Sequence, residues 1–108
     1  MKGWVAQLRK GTVELAVLAA LAQGEAYGYE LLQRINAGPG LSLTESTVYP
    51  LLARLTKEGV LKVRAAPSPA GPPRRYYRIT AVGKTRLREM ASHWNEINQA
   101  VEGLLNGE

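Results

Sequence analysis

A mainly α fold of the α+β kind is predicted by three observations: helical apolar periodicity up to residue 58, two strand-like runs after it, and a heptad seam at the end. The chain has 108 residues, 45% of them hydrophobic, which suits one globular domain with a single modest core. Disordered chains combine low hydrophobicity with high net charge, and this composition does not.

The first helix is predicted from about Trp4 or Leu8 to Gln23, with Val13, Val17, Ala20 and Leu21 on one stripe and Gly24 as the stop. A second begins near Ala26 or Tyr27, carries Leu31, Leu32 and Ile35, and ends in the breaker cluster of residues 36–40. In the third, Thr44 is the expected N-cap, Glu45 meets the helix dipole, and Leu43 can staple onto Val48. Its capping box is incomplete, because Thr47 stands where Glu or Gln would complete it. Val48, Leu51, Leu52 and Leu55 form its buried stripe, and Gly59 closes it. Pro50 is out of place there, since an interior proline costs a helix about 3 kcal/mol. Either the helix starts later or its first turns are bent.

Residues 60–66 and 74–80 read as strands, the second with the alternation of a half-buried strand. Four prolines and a glycine within residues 65–73 make the connection a stiff, irregular hairpin tip. Thr80 is the expected N-cap of a last helix reaching about Leu105. Along it Leu87, Met90, Trp94, Ile97, Val101 and Leu104 keep a/d heptad spacing, the seam of a helix that dimerises. Three helices, a two-stranded β-wing and a long C-terminal dimerisation helix make a winged helix-turn-helix. Residues 1–80 are expected to form a DNA-binding unit and 81–108 the dimerisation helix, in one compact body.

Charge points the same way. The net charge is +5, and residues 60–88 hold eight cations (Lys62, Arg64, Arg74, Arg75, Arg78, Lys84, Arg86, Arg88) and no carboxylate. A focused positive segment suits a partner with regularly spaced phosphates, here double-stranded DNA. In a winged helix the third helix enters the major groove, which places Thr44, Glu45, Ser46, Thr47 and Tyr49 near base edges. Arg54 completes the contact set expected of that helix. Hydroxyls at a helix start also serve as caps, so that role stays open beside base reading. On the wing, Arg74, Arg75, Lys62 and Arg64 are candidates for phosphate contact, although arginine on an edge strand also blocks edge pairing. Lys84, Arg86 and Arg88 lie where a helix dipole disfavours cations, a further pointer to phosphate.

Other functions fit poorly. There is no cysteine and one histidine, His93, so His-based triads and His/Cys metal clusters have no residues to build them; neither catalysis nor a cofactor is expected. The longest apolar run, residues 15–22, is far short of the roughly 20 residues that span a bilayer, and no secretory leader is evident. A cytoplasmic location is therefore expected. A winged helix used only for protein interaction is the alternative, and would carry a neutral or acidic wing.

The segments Tyr27-Gly28-Tyr29-Glu30-Leu31, Thr47-Val48-Tyr49-Pro50-Leu51-Leu52-Ala53-Arg54-Leu55, Glu58-Gly59 and Arg75-Tyr76-Tyr77-Arg78-Ile79-Thr80 with Gly83 together resemble the signature of the PadR family. The resemblance covers about residues 8–105 and implies a bacterial or archaeal winged-helix regulator, usually a homodimeric repressor acting on a palindromic operator. The single short C-terminal helix is similar to the smaller subgroup, whose type member is a multidrug-responsive repressor. There a tryptophan of the last helix, one from each subunit, flanks a central pocket for flat aromatic molecules. By that likeness Trp94 takes this place, with Leu8, Leu15, Ala19 and Asn98 lining the pocket for a planar aromatic effector. Ala19 and Asn98 differ from the polar residues such a pocket would carry. From spacing alone, Trp94 reads equally as a packed dimer residue.

Overall fold

The computed structural model describes residues 3–108. In chain order the elements are α1 (Gly3–Lys10), α2 (Val13–Ala22), β1 (Ala26–Tyr27), α3 (Gly28–Asn36), α4 (Glu45–Lys57), β2 (Leu61–Ala66), β3 (Arg74–Ile79) and α5 (Ala81–Leu105).

The single first helix expected from the sequence is two. Thr12 closes α1, its N–H and its hydroxyl both donating to the Arg9 carbonyl at 2.9 and 2.7 Å, while its own carbonyl accepts from Ala16 and opens α2. Glycine at position 11 makes that break easy. The halves then part in character: α1 buries nothing, whereas α2 buries Val17, Leu18, Ala20 and Leu21. The C-terminal carbonyls of α2 are met by a distant cation, since Arg34 Nη1 donates to Ala20 O at 2.9 Å and to Gly24 O at 2.8 Å.

The sheet has three antiparallel strands in the order β1-β3-β2, so the predicted two-stranded wing rests on a third strand. Ala26 pairs with Tyr77 and Tyr27 with Tyr76. Two residues are too few for any periodicity to reveal. In the hairpin, Leu61 pairs with Ile79, Lys62 with Arg78, Arg64 with Tyr76 and Ala65 with Arg75.

One core joins these layers: Val17, Leu18 and Leu21 of α2, Leu31 and Ile35 of α3, Val48, Leu52 and Leu55 of α4, and Val60, Leu61 and Ile79 at the root of the sheet. α5 docks on α2 and β3. Thr80 caps it as expected, accepting from Gly83 N–H at 3.1 Å. The Thr80 hydroxyl lies 2.7 Å from Gly59 O and 2.9 Å from Val60 O, which ties the helix start to the end of α4.

The heptad seam divides. Leu87 and Met90 pack against the chain's own core, while Trp94, Ile97, Val101 and Leu104 are exposed. The seam thus has a part packed on the core and a part left exposed, with Trp94 and Ile97 still close to Leu15 of α2. Among the described residues no helix is long and apolar enough to cross a membrane.

Candidate nucleic-acid interface

The placement of α4 starts at the end of α3. The Asn36 amide grips the connecting loop twice, donating to Leu43 O at 2.8 Å and accepting from Leu43 N–H at 2.9 Å. Just before that grip Ser42 adopts φ 50°, a left-handed conformation that costs a non-glycine residue about 1 kcal/mol. The loop is held, and α4 departs from it at a fixed point.

Thr44 occupies the N-cap position with extended backbone, but its hydroxyl makes no capping bond. It lies instead 3.0 Å from Ser46 Oγ and 3.3 Å from Thr47 Oγ1. The three hydroxyls form one exposed cluster at the helix start, so the expected cap is a position without its bond.

The helix runs unbroken through Pro50, which decides the open question of its start: α4 begins at Glu45. Proline supplies no N–H, so the Ser46 carbonyl lacks its usual partner four residues on. Both residues are exposed, where water can meet that carbonyl. With Val48, Leu52 and Leu55 buried, the outward strip of α4 is Ser46, Tyr49, Pro50 and Ala53. Ala53 was missed by the sequence reading, although helical spacing from Ser46 and Tyr49 would have found it.

Tyr49 leans on α3. A Cβ added to Gly28 would sit 2.6 Å from Tyr49 Cε1, so glycine there permits the approach of the ring. Partial burial, with Glu45 nearby, pushes the Tyr49 hydroxyl above its ordinary pKa and keeps it a neutral donor. Tyr29, Tyr49, Ala53, Arg74, Arg75 and Tyr77 line a groove of about 400 Å³ between α4 and the wing. The exposed Tyr29 is another residue the sequence reading passed over.

The wing sorts its cations by face. Alternation puts Lys62, Arg64, Arg74, Tyr76 and Arg78 on the outer face and Arg75 on the face toward α4. On the outer face the Tyr27 and Tyr76 rings meet edge to face at 5.5 Å. The Arg64 guanidinium lies 4.7 Å from the Tyr76 ring, and that of Arg74 4.4 Å from the Tyr27 ring. Arg74 and Arg75 thus differ, as strand alternation predicts: Arg74 is half-buried on Tyr27 and Arg75 is exposed, although both border the groove beside α4.

Remote acids also reach into the basic segment. Arg64 Nε donates to Glu25 Oε2 at 3.0 Å, and this bond holds the Glu25 carboxyl below the usual carboxylate range. Arg54 is bound to Glu14 at 2.7 Å and to Glu58 at 2.8 Å, on the flank of α4 that faces α2. Arg86 is paired too, with Glu58 and Glu14. Among the described residues, Lys62, Arg74, Arg75, Arg78, Lys84 and Arg88 of the basic segment form no ion pair within 4 Å, so the unpaired charge of that segment sits on the wing and the start of α5.

A second hollow, of about 290 Å³, lies between α2 and α5, lined by Gly11, Leu15, Arg86, Met90, Trp94 and Ile97. It brings Leu15 and Trp94 together. Leu8 is exposed on α1, and neither Ala19 nor Asn98, both exposed, joins this hollow. His93 is exposed, and among the described residues no group of three or more His, Cys, Asp or Glu could hold a metal ion.

An exposed helix strip beside a hairpin rich in arginine, on a three-helix core, defines a winged helix-turn-helix protein. The model of the transcriptional regulator PadR-like family matches residues 17–89, and the chain belongs to that family. A PadR-like regulator of Bacillus cereus is 37% identical, with 94% of this chain and 99% of that one covered and a TM-score of 0.82. A PadR family regulator of Eggerthella lenta is 34% identical, with 97% and 91% covered and a TM-score of 0.86. Bacillus subtilis PadR, in complex with operator DNA, is 28% identical over 74% of this chain and 46% of that one, with a TM-score of 0.69.

Proposed function

We propose that this regulator acts as a homodimeric, sequence-specific repressor that binds a two-fold operator. The observation that carries the reading is that Tyr49 and Ala53 of the exposed α4 strip face Arg75 of the wing across one groove, with Ser46 exposed on the same strip. The likeness to a PadR captured on operator DNA supports it. The strip of α4 reads base edges in the major groove, with hydroxyls as donors or acceptors and tyrosine carbons against thymine methyls. Arg75, Lys62 and Arg78 hold phosphates. Arg74 shapes the wing from its stack on Tyr27, and Arg54 and Arg64, bound to glutamates, stand back from the contact set. Thr44 and Thr47 act beside Ser46 through their shared hydroxyl cluster.

The dimer forms through the exposed apolar residues of α5, Trp94, Ile97, Val101 and Leu104, joined by Trp4 and Leu8 of α1. A 290 Å³ hollow is small for a drug-sized ligand, but two of them meeting at a dimer axis would hold a planar aromatic effector between the Trp94 rings. Titration of the full chain on its own upstream DNA tests the reading. A salt-sensitive complex that prefers one duplex over a scrambled one at micromolar protein is expected. Absence of any such complex would refute it and favour the protein-interaction module. For the pocket, Trp94→Ala should abolish binding of a planar dye, and unchanged affinity would remove Trp94 from it.

A further inference from the structure

The C-terminal end of α4 is tied by charge to the start of α5. Arg86 Nη1 lies 3.0 Å from Glu58 Oε1 and 3.3 Å from Glu14 Oε2, and Arg54 binds the other oxygen of each carboxylate. Two cations and two anions thus alternate in a ring drawn from α2, α4 and α5. The main packing of α4 is on α2, α3 and β2, and that of α5 is on α2 and β3, so the ring adds a charged link between two helices that share α2 as a neighbour and meet beside Met90. Arg86 belongs to a second feature as well, because it lines the hollow beneath Trp94 with Leu15 and Met90. Its position there is not an accident of a solvated face: only 36% of the side chain is exposed, and it is held by two carboxylates.

We propose that Arg86 and Glu58 are positioning residues that pass the state of α5 to α4. The ring holds α4 at the angle its outward strip needs, and an occupant of the hollow that draws Arg86 aside releases that angle. Exposed ion pairs add little to global stability, so the ring can open without unfolding anything, as a two-state coupling element needs. The inference rests on the DNA-binding reading above. It differs in giving Arg86, a cation of the basic segment, a role that touches no phosphate.

The test uses the full chain and two variants, Arg86→Gln and Glu58→Gln, on the duplex footprinted in its upstream region and on a scrambled duplex, across a salt series. The expected result is a fall of about 5- to 20-fold in operator affinity, within the usual range for coupled sites. Affinity for scrambled DNA, the salt slope and the dimer mass should stay unchanged, and Arg86→Lys should recover most of the loss. Equal losses on both duplexes, with a salt slope flatter by about one per subunit, would make Arg86 a phosphate contact and overturn the proposal. No change on either duplex in both Gln variants would overturn it too. A wild-type chain without operator preference removes the DNA-binding reading itself, which separates the two failures.

Discussion

Gly83 is buried in the first turn of α5, where a Cβ would overlap the Val60 carbonyl and come within 2.6 Å of Ile79 Cγ1. Backbone on one side and a core side chain on the other leave little room to yield. Gly83→Ala should therefore cost about 1–3 kcal/mol of stability, read as a lower urea midpoint with an unchanged slope. Thr80→Ala removes the cap on the same turn together with the hydroxyl's contact to Gly59, and should cost about 1 kcal/mol. The Thr80 cap was legible because it depends on local sequence alone. The equally good signal at Thr44 found the N-cap position but not its bond, since the hydroxyl meets those of Ser46 and Thr47 instead. Arg54 was illegible for a different reason: its partner Glu14 is 40 residues away, and no local rule reports such a meeting.

At the scale of elements, the wing is set by its pairing with β1 and by Glu25, and its function rests on the cations left over. If Arg75 touches phosphate, Arg75→Ala should weaken all DNA about equally and flatten the salt slope by about one per subunit. Arg74→Ala should instead lose the stack on Tyr27 and disturb the wing. The acids that pair across elements give a pH signature. Arg64 lowers the Glu25 carboxyl, and Arg54 followed by Arg86 lowers that of Glu58. A carboxyl lowered on folding stabilises fully above its unfolded pKa of about 4.3, and that contribution disappears as pH falls through the lowered value. Thermal melts should accordingly decline on the acid side below about pH 4.3, and the combined Glu25→Gln and Glu58→Gln variant should show a shallower decline. The strand alternation that sorts Arg75 from Arg74 was readable in the sequence, whereas β1 was not, because two residues carry no period.

The whole molecule measures 55 × 33 × 20 Å, and its long dimension suits α5, whose 25 residues at 1.5 Å each span about 37 Å. Only the first turns of that helix pack on the chain's own core, through Leu87 and Met90. Beyond them Ile97 is 64% exposed and Leu104 75%, so the apolar residues there are not buried within the chain. Two-fold pairing of this face would bury it and fix the separation of two recognition helices, which an operator with half-sites one turn apart requires. The two halves of the seam can then be told apart. Leu87→Ala removes packing that is only partly buried, and should lower stability by about 1–3 kcal/mol, below the ~2–5 kcal/mol of a fully buried leucine. Ile97→Glu with Val101→Glu places like charges on the pairing face and should leave a folded chain of monomer mass by sedimentation. Each half-site would then be bound alone, and with the linkage between them lost, operator affinity should fall by about 10²- to 10⁴-fold. A variant that keeps dimer mass would show that the exposed half of α5 is not the contact, and would move the search to Trp4 and Leu8 on α1.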